Sequence, residues 1–105
     1  MYRVLLVDDD RALLDANEAY FADHGYLVHR AETARDALAI LRGAKLDCVV
    51  LDVDLPDQDG FQVCLQARKY SSIPIVFLSG YTEEESRVRG LTIGGDDYVT
   101  KPFSV

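Results

Sequence analysis

Acidic residues that follow short apolar runs are the residues in this sequence best suited to chemistry. An acidic run at residues 8–10 follows the apolar residues 4–7, and Asp52 closes the apolar residues 49–51. A carboxylate at the end of a buried strand is costly unless it is paired or binds a metal. Clustered carboxylates repel one another unless a cation neutralises them, and Mg²⁺ prefers oxygen ligands. We therefore expect a Mg²⁺ site beside a carboxylate nucleophile that forms an acyl phosphate.

Two further polar residues follow apolar runs. Ser79 comes after residues 75–78, and Lys101 comes after a short predicted strand at residues 97–100. A hydroxyl could donate a hydrogen bond to a phosphoryl oxygen, and an ammonium group could neutralise the phosphoryl charge. Taken alone, Ser79 could be a turn residue and Lys101 a solvated surface charge. The combination of these chemistries at several strand ends favours a phosphoryl-transfer site.

The acidic run also has a purely structural explanation, because Asp is a preferred residue at the N-cap of a helix. One carboxylate is enough for a cap, and Asp10 stands in the right place for it. That assignment leaves Asp8 and Asp9 for the site.

The elements that must position these residues alternate along the chain. Short β-forming runs are followed by amphipathic segments of about a dozen residues, with Gly25 and Gly43 ending the first two helices and Thr33 capping the second. Such alternation predicts βαβ units in an α/β doubly wound parallel sheet, with ligands at the carboxyl ends of the strands. The predicted strands are residues 2–7, 26–31, 47–52, 75–78 and 97–100, and the fourth predicted helix runs from the capping box at Thr82 to about Ile93.

Composition narrows the classes of protein to which the chain can belong. The 105 residues suffice for one domain, and 18 acidic against 11 basic residues give a net charge of −7. This balance argues against nucleic-acid contact by this domain. Cys48 and Cys64 form no C-x-x-C motif, so we interpret both as buried structural thiols. The sequence has no apolar stretch long enough for a membrane span, and we expect a cytoplasmic protein.

Four motifs together make the chain similar to the receiver domain of two-component response regulators. They occur in the expected order and span nearly the whole sequence, so the resemblance is specific. It implies a flavodoxin-like, five-stranded parallel sheet with strand order 2-1-3-4-5, in a single receiver domain over residues 1–105. The motifs are Val-Asp8-Asp9-Asp10, Val-Leu-Asp52-x-x-Leu-Pro56-x-x-Asp59-Gly60, Pro74-Ile-Val-Phe-Leu-Ser79-Gly80 and Gly95-Asp-Asp-Tyr98-Val-Thr-Lys101-Pro102-Phe103.

The resemblance implies a role for each site residue. Asp52 would accept a phosphoryl group from the phosphohistidine of a sensor histidine kinase, with no enzyme activity beyond its own phosphorylation and dephosphorylation. Asp8 and Asp9 would bind Mg²⁺, together with the Asp52 carboxylate and the backbone carbonyl of Asp54. Lys101 and the Ser79 hydroxyl would contact the phosphoryl oxygens.

The resemblance also implies a switch. Ser79 would move toward the phosphoryl group on activation, and Tyr98 would turn inward to fill the space that Ser79 leaves. Asp54 and Tyr81 occupy the two positions, each two residues past a site residue, that tune phosphoryl lifetime in this family. We expect these two side chains to affect the approach of an attacking water.

The end of the sequence departs from the family pattern. Receiver domains normally end in a fifth helix, and the sequence stops at Val105, where that helix would begin. We interpret this as a truncation, so an output domain, one that regulates transcription, could follow in the full protein. The fourth helix and fifth strand, which commonly form a homodimer face, are included in the sequence.

Two other functions fit parts of the sequence. Asp52-Val53-Asp54 resembles the nucleophile and acid pair of a haloacid dehalogenase-type phosphatase, although that motif normally follows the first strand of its fold. A pseudo-receiver that no longer accepts phosphate is the other alternative. It is disfavoured because every expected site residue is present.

Overall fold

The fold is an α/β arrangement in which strands and helices alternate. The computed structural model describes residues 2–69, 71–79 and 97–100, with the backbone alone for 78–79 and 97–100. The strands are β1 (Arg3–Val7), β2 (Leu27–Ala31), β3 (Cys48–Asp52), β4 (Ile75–Ser79) and β5 (Asp97–Thr100). The helices are α1 (Arg11–Asp23), α2 (Ala34–Gly43) and α3 (Gly60–Ala67). Each helix follows a strand, as the alternation in the sequence predicts.

All strand pairs are parallel. Strand β1 lies between β2 and β3, β4 pairs with the other edge of β3, and the backbone of β5 pairs with β4. The α/β class and the predicted order 2-1-3-4 are therefore confirmed. The complete five-stranded arrangement stays a prediction, because residues 80–96, which lead to β5, lie outside the described residues, as does the predicted fourth helix.

The sheet carries helices on both faces. Leu5 and Val7 of β1 belong to the core shared with α2 and α3, whereas Val4 and Leu6 pack with Leu14 of α1 on the other face. Because β1 is buried on both sides, its sequence is a continuous apolar run rather than an alternating one. The strand begins at Arg3, one residue later than predicted, and Tyr2 before it is 68% exposed.

The helix ends follow the predicted capping residues. The Asp10 carboxylate accepts a hydrogen bond from the backbone N–H of Leu13 at 3.1 Å and caps α1. Gly25, which follows the C-cap of α1, has φ +86°, a backbone angle that glycine adopts without steric cost. Thr33 caps α2 by accepting from the N–H of Asp36 at 3.1 Å.

Three details concern burial. Cys64 is buried in the core as predicted, whereas Cys48, which lies with Val50 on the α1 face of β3, is only half-buried. Leu65 lies on the outer side of α3 and is exposed. In the part of the chain that the structure describes, every helix is too short or too polar to cross a lipid bilayer.

Candidate functional site

Three carboxylates meet at the carboxyl edge of the sheet. Val7 of β1 pairs with Leu51 of β3, so the residues that follow, Asp8 and Asp52, lie side by side. One oxygen each of Asp8, Asp9 and Asp52 lies within 4.8 Å of the others. Asp52 is 1% exposed and Asp8 is 3% exposed, whereas Asp9 is open to solvent. The structure thus brings together the three carboxylates that the sequence predicts to meet.

Backbone hydrogen bonds orient the two buried carboxylates. The N–H of Asp10 donates to Asp8 Oδ1 at 3.0 Å, and the N–H of Asp54 donates to Asp52 Oδ1 at 3.2 Å. Asp10 itself turns away to cap α1. Asp10 therefore caps α1 as predicted, and Asp8 and Asp9 lie in one cluster with Asp52. That Asp8 and Asp9 bind a metal stays a prediction.

The donor set of this cluster fits a hard divalent cation. Like charges at this spacing repel one another, and the buried position of Asp8 and Asp52 weakens screening by water. Oxygen ligands from carboxylates, with space for water on the exposed Asp9 side, suit Mg²⁺ better than a soft metal. The cluster is thus a candidate Mg²⁺ site, and the nitrogen and sulfur ligands typical of zinc take no part in it.

The loop between β3 and α3 folds back onto the Asp52 backbone. The N–H of Gly60 donates to the carbonyl of Val53 at 2.7 Å, and Asp54 and Asp59 form an antiparallel bridge. A Cβ atom at Gly60 would collide with the backbone carbonyl of Asp52. Glycine is therefore required at this position by close backbone approach, which holds the loop against the site.

One residue of this loop has a contact that the sequence interpretation missed. The two carboxylate oxygens of Asp57 accept hydrogen bonds from the backbone N–H groups of Ala34 and Arg35, at 2.8 and 3.0 Å. These bonds, that of Ala34 first, hold the pKa of Asp57 below its usual value despite the opposing effect of desolvation. The sequence around Asp57 contains no local signal for this contact, because the partner lies 23 residues earlier.

The other predicted site residues lie partly or wholly outside the residues that the structure describes. Ser79 is the last residue of β4, one position past Leu78, whose backbone pairs with Asp52. The backbone of Tyr98 pairs with Phe77. The side chains of Ser79 and Tyr98, and Lys101 and Tyr81 as a whole, lie outside the described residues.

Sequence comparison decides the family. Residues 4–105 match the model of the family described as the response regulator receiver domain. The chain belongs to this family. It is therefore a receiver domain of two-component signalling, as the four motifs predict.

Individual relatives agree with this assignment. The chain is 43% identical over 103 residues to the uncharacterized transcriptional regulatory protein YvcP of Bacillus subtilis, covering 98% of this chain and 44% of YvcP. It is 38% identical over 101 residues to the regulatory protein VanR of Enterococcus faecium, covering 96% of this chain and 44% of VanR. The chain thus spans less than half the length of these curated relatives.

A solved structure has the same fold. The CheY-like receiver domain protein of Methanospirillum hungatei superimposes with a TM-score of 0.93 at 32% identity, covering 99% of this chain and 84% of the other.

Receiver domains are not generally enzymes in the usual sense. Membership of the family therefore favours a phosphoacceptor over a haloacid dehalogenase-type phosphatase.

Proposed function

We propose that this receiver accepts a phosphoryl group on Asp52. The observation that carries the proposal is the meeting of Asp52 with Asp8 and Asp9, with oxygens of all three within 4.8 Å at the carboxyl edge of the sheet. A carboxylate oxygen of Asp52 attacks phosphorus, the bond from phosphorus to the kinase histidine nitrogen breaks, and the departing imidazole takes up a proton. The product is an aspartyl phosphate.

Mg²⁺ would be held by the carboxylates of Asp8, Asp9 and Asp52 and by the backbone carbonyl of Asp54. When bound, the ion supplies positive charge that offsets the repulsion between the carboxylates and the incoming phosphoryl oxygens. The N–H of Asp54 keeps Asp52 Oδ1 in place during the attack, since the two atoms are 3.2 Å apart. Lys101 and the Ser79 hydroxyl are proposed to bind the remaining phosphoryl oxygens.

Activation is proposed to run from Ser79 to Tyr98, with Ser79 approaching the phosphoryl group and the Tyr98 ring turning inward. The backbone pairing of β4 with β5 makes these strands neighbours, which supports such a relay. Asp54 and Tyr81 are proposed to tune phosphoryl lifetime. Asp54 is exposed beside Asp52, where its charge can affect an approaching water.

The partner is proposed to be a sensor histidine kinase, and the output to be transcription in the cytoplasm. The support is the family and the likeness to YvcP, whose name describes it as a transcriptional regulatory protein. In that case residues 1–105 are the receiver domain, an output domain elsewhere in the full protein contacts DNA, and the face of the fourth helix and fifth strand forms a homodimer.

Phosphorylation of the isolated receiver tests this function. We expect acetyl phosphate with Mg²⁺ to add one phosphoryl group, detected by intact-protein mass spectrometry, and chelation of Mg²⁺ to prevent it. The variant Asp52→Asn should show no incorporation, because an amide is not a nucleophile of this kind. Asp47→Asn is the matched control, since Asp47 directly precedes β3, at the opposite end of the strand from Asp52, and accepts from the N–H of Arg3 at 2.7 Å.

Two results would contradict the proposal. Equal incorporation into Asp52→Asn would place the phosphoryl group on another residue. Failure of the unaltered protein to incorporate phosphate, or to respond to beryllofluoride with Mg²⁺, would favour the pseudo-receiver alternative.

A further inference from the structure

The contact between Asp57 and α2 links the loop of the site to a helix on the same face of the sheet. Asp57 lies three residues after Asp54, whose carbonyl is proposed to bind Mg²⁺. Its Oδ1 and Oδ2 accept from the N–H groups of Ala34 and Arg35, the first two residues of α2. A carboxylate at the N-terminus of a helix is further stabilised by the helix dipole.

The contact adds to the local cap of α2 rather than duplicating it. Thr33 Oγ1 accepts from the N–H of Asp36, and the Thr33 carbonyl accepts from the N–H of Ala37, both at 3.1 Å. The N–H groups of Ala34 and Arg35 therefore go to Asp57, and together the two residues account for the donors of the first turn. Thr33 and Asp57 cap the same helix, but only Asp57 belongs to the loop of the site.

The rest of the loop is held mainly at its two ends. Its start is fixed by the bond from the Asp54 N–H to Asp52, and its end by the bond from the Gly60 N–H to Val53. Between these points, Leu55 packs against the core and the Gln58 side chain accepts from Gln66 of α3 at 3.2 Å. Asp57 ties this middle section to the first turn of α2 by two hydrogen bonds.

We propose that Asp57 is a positioning residue for the metal site, holding the loop so that the Asp54 carbonyl faces the carboxylates of Asp8 and Asp52. This inference rests on the proposed function, because it assigns a role toward the proposed Mg²⁺ ligands. Coupling between two sites is reciprocal. If the Asp57 contact favours Mg²⁺ binding, Mg²⁺ binding must favour the Asp57 contact by the same factor.

The test compares Asp57→Ala and the milder Asp57→Asn with Thr33→Val. Each change removes capping from α2, but Thr33→Val leaves the loop attached. We expect Asp57→Ala to raise the dissociation constant for Mg²⁺, measured by calorimetric titration of the metal alone, roughly 10-fold, as for other residues that support metal ligands. Thr33→Val should stay within about twofold of the unaltered protein, because it leaves in place the hydrogen bonds from Ala34 and Arg35 to Asp57.

A second measurement starts from the unaltered protein and uses Asp57→Asn as its comparison. Amide hydrogen exchange in the unaltered protein should be slower at Ala34 and Arg35 when Mg²⁺ is bound, because the Asp57 contact then opens less often. Asp57→Asn, which keeps the size of the side chain, should reduce this protection and weaken Mg²⁺ binding less than Asp57→Ala does. Asp57→Asn also keeps the inference testable if Asp57→Ala does not fold.

The outcomes separate this inference from the proposed function. Equal Mg²⁺ affinity in all variants, or equal weakening by Asp57→Ala and Thr33→Val, would show that Asp57 only caps α2, and the inference would be wrong while the function stands. Unchanged exchange at Ala34 and Arg35 on Mg²⁺ binding would also overturn it. If the unaltered protein binds no Mg²⁺, the proposed function fails, and this inference fails with it.

Discussion

At the scale of single residues, Gly60 shows how the backbone constrains this site. A Cβ atom there would collide with the carbonyl of Asp52 and would lie 2.9 Å from the Cα of Val53. Both neighbours are backbone atoms at the end of β3, where the proposed phosphoacceptor Asp52 lies. They cannot move aside without shifting Asp52 itself, so the residue after Asp59 must lack a side chain.

Gly60→Ala should therefore destabilise the fold and disturb the site together. We expect a loss of at least about 2 kcal/mol in the free energy of unfolding, measured by urea denaturation, because the added methyl group overpacks against backbone. Gly43→Ala is the matched control, since Gly43 is the last residue of α2 and a Cβ atom there meets nothing within 4 Å. The control should be neutral or stabilise by about 0.5–1 kcal/mol. Similar effects of the two changes would contradict the close approach of Gly60 to the backbone of Asp52 and Val53.

At the scale of elements, α2 depends on a residue outside its own sequence. Its first turn is capped partly by Thr33 and partly by Asp57 of the β3–α3 loop. The loop and the helix therefore support each other, and the strength of their contact depends on the charge of one carboxylate.

This dependence predicts an effect of pH. The hydrogen bond from Ala34, and then that from Arg35, lower the pKa of Asp57 in the folded protein. A lowered folded pKa adds stability above the unfolded pKa, and this stability is lost as pH falls through the folded value. We expect Asp57→Asn to be less stable than the unaltered protein at pH 7, with the difference shrinking as the pH falls below the ordinary value of 3.8. Urea denaturation at pH 7, 5 and 3 measures it, and a constant difference would contradict the assignment.

At the scale of the whole molecule, the concentration of negative charge at the site lowers the stability of the fold. The chain carries a net charge of −7, and three of its carboxylates lie together at the carboxyl edge of the sheet, two of them buried. Repulsion within such a cluster weakens the folded state until a cation binds. If the cluster serves the proposed phosphoryl transfer, stability can be gained there at the expense of function.

Asp52→Asn should therefore stabilise the protein in the absence of Mg²⁺. We expect a gain of about 1 kcal/mol in the free energy of unfolding, because one of three like charges is removed. The Asn carbonyl oxygen can still accept from the N–H of Asp54. Added Mg²⁺ should stabilise the unaltered protein by mass action and the variant much less. Asp47→Asn, which lies away from the cluster, should respond to Mg²⁺ as the unaltered protein does, and a loss of the response there would contradict the assignment.

Much of the architecture could be predicted from local pattern. The apolar run of β1 indicated a strand buried on both faces, and Asp10 and Thr33 marked the starts of α1 and α2. These signals are local. A capping side chain bonds to an N–H group two or three residues away, and a strand buried on both faces has consecutive apolar side chains. The strand boundaries differed by about one residue, as at Tyr2, because the ends of regular elements are only weakly marked in the sequence.

Residue types and their order were enough to predict the chemistry available at this site. They show which residues are carboxylates, that these follow apolar runs, and that the receiver family combines them in this order. The tertiary structure showed which of these distant residues are neighbours. It placed Asp8 and Asp52 side by side through the pairing of β1 with β3, required glycine at residue 60, and joined Asp57 to α2. The physical reason is that these contacts join residues far apart in the chain, where register and backbone approach rather than local preference select the neighbours.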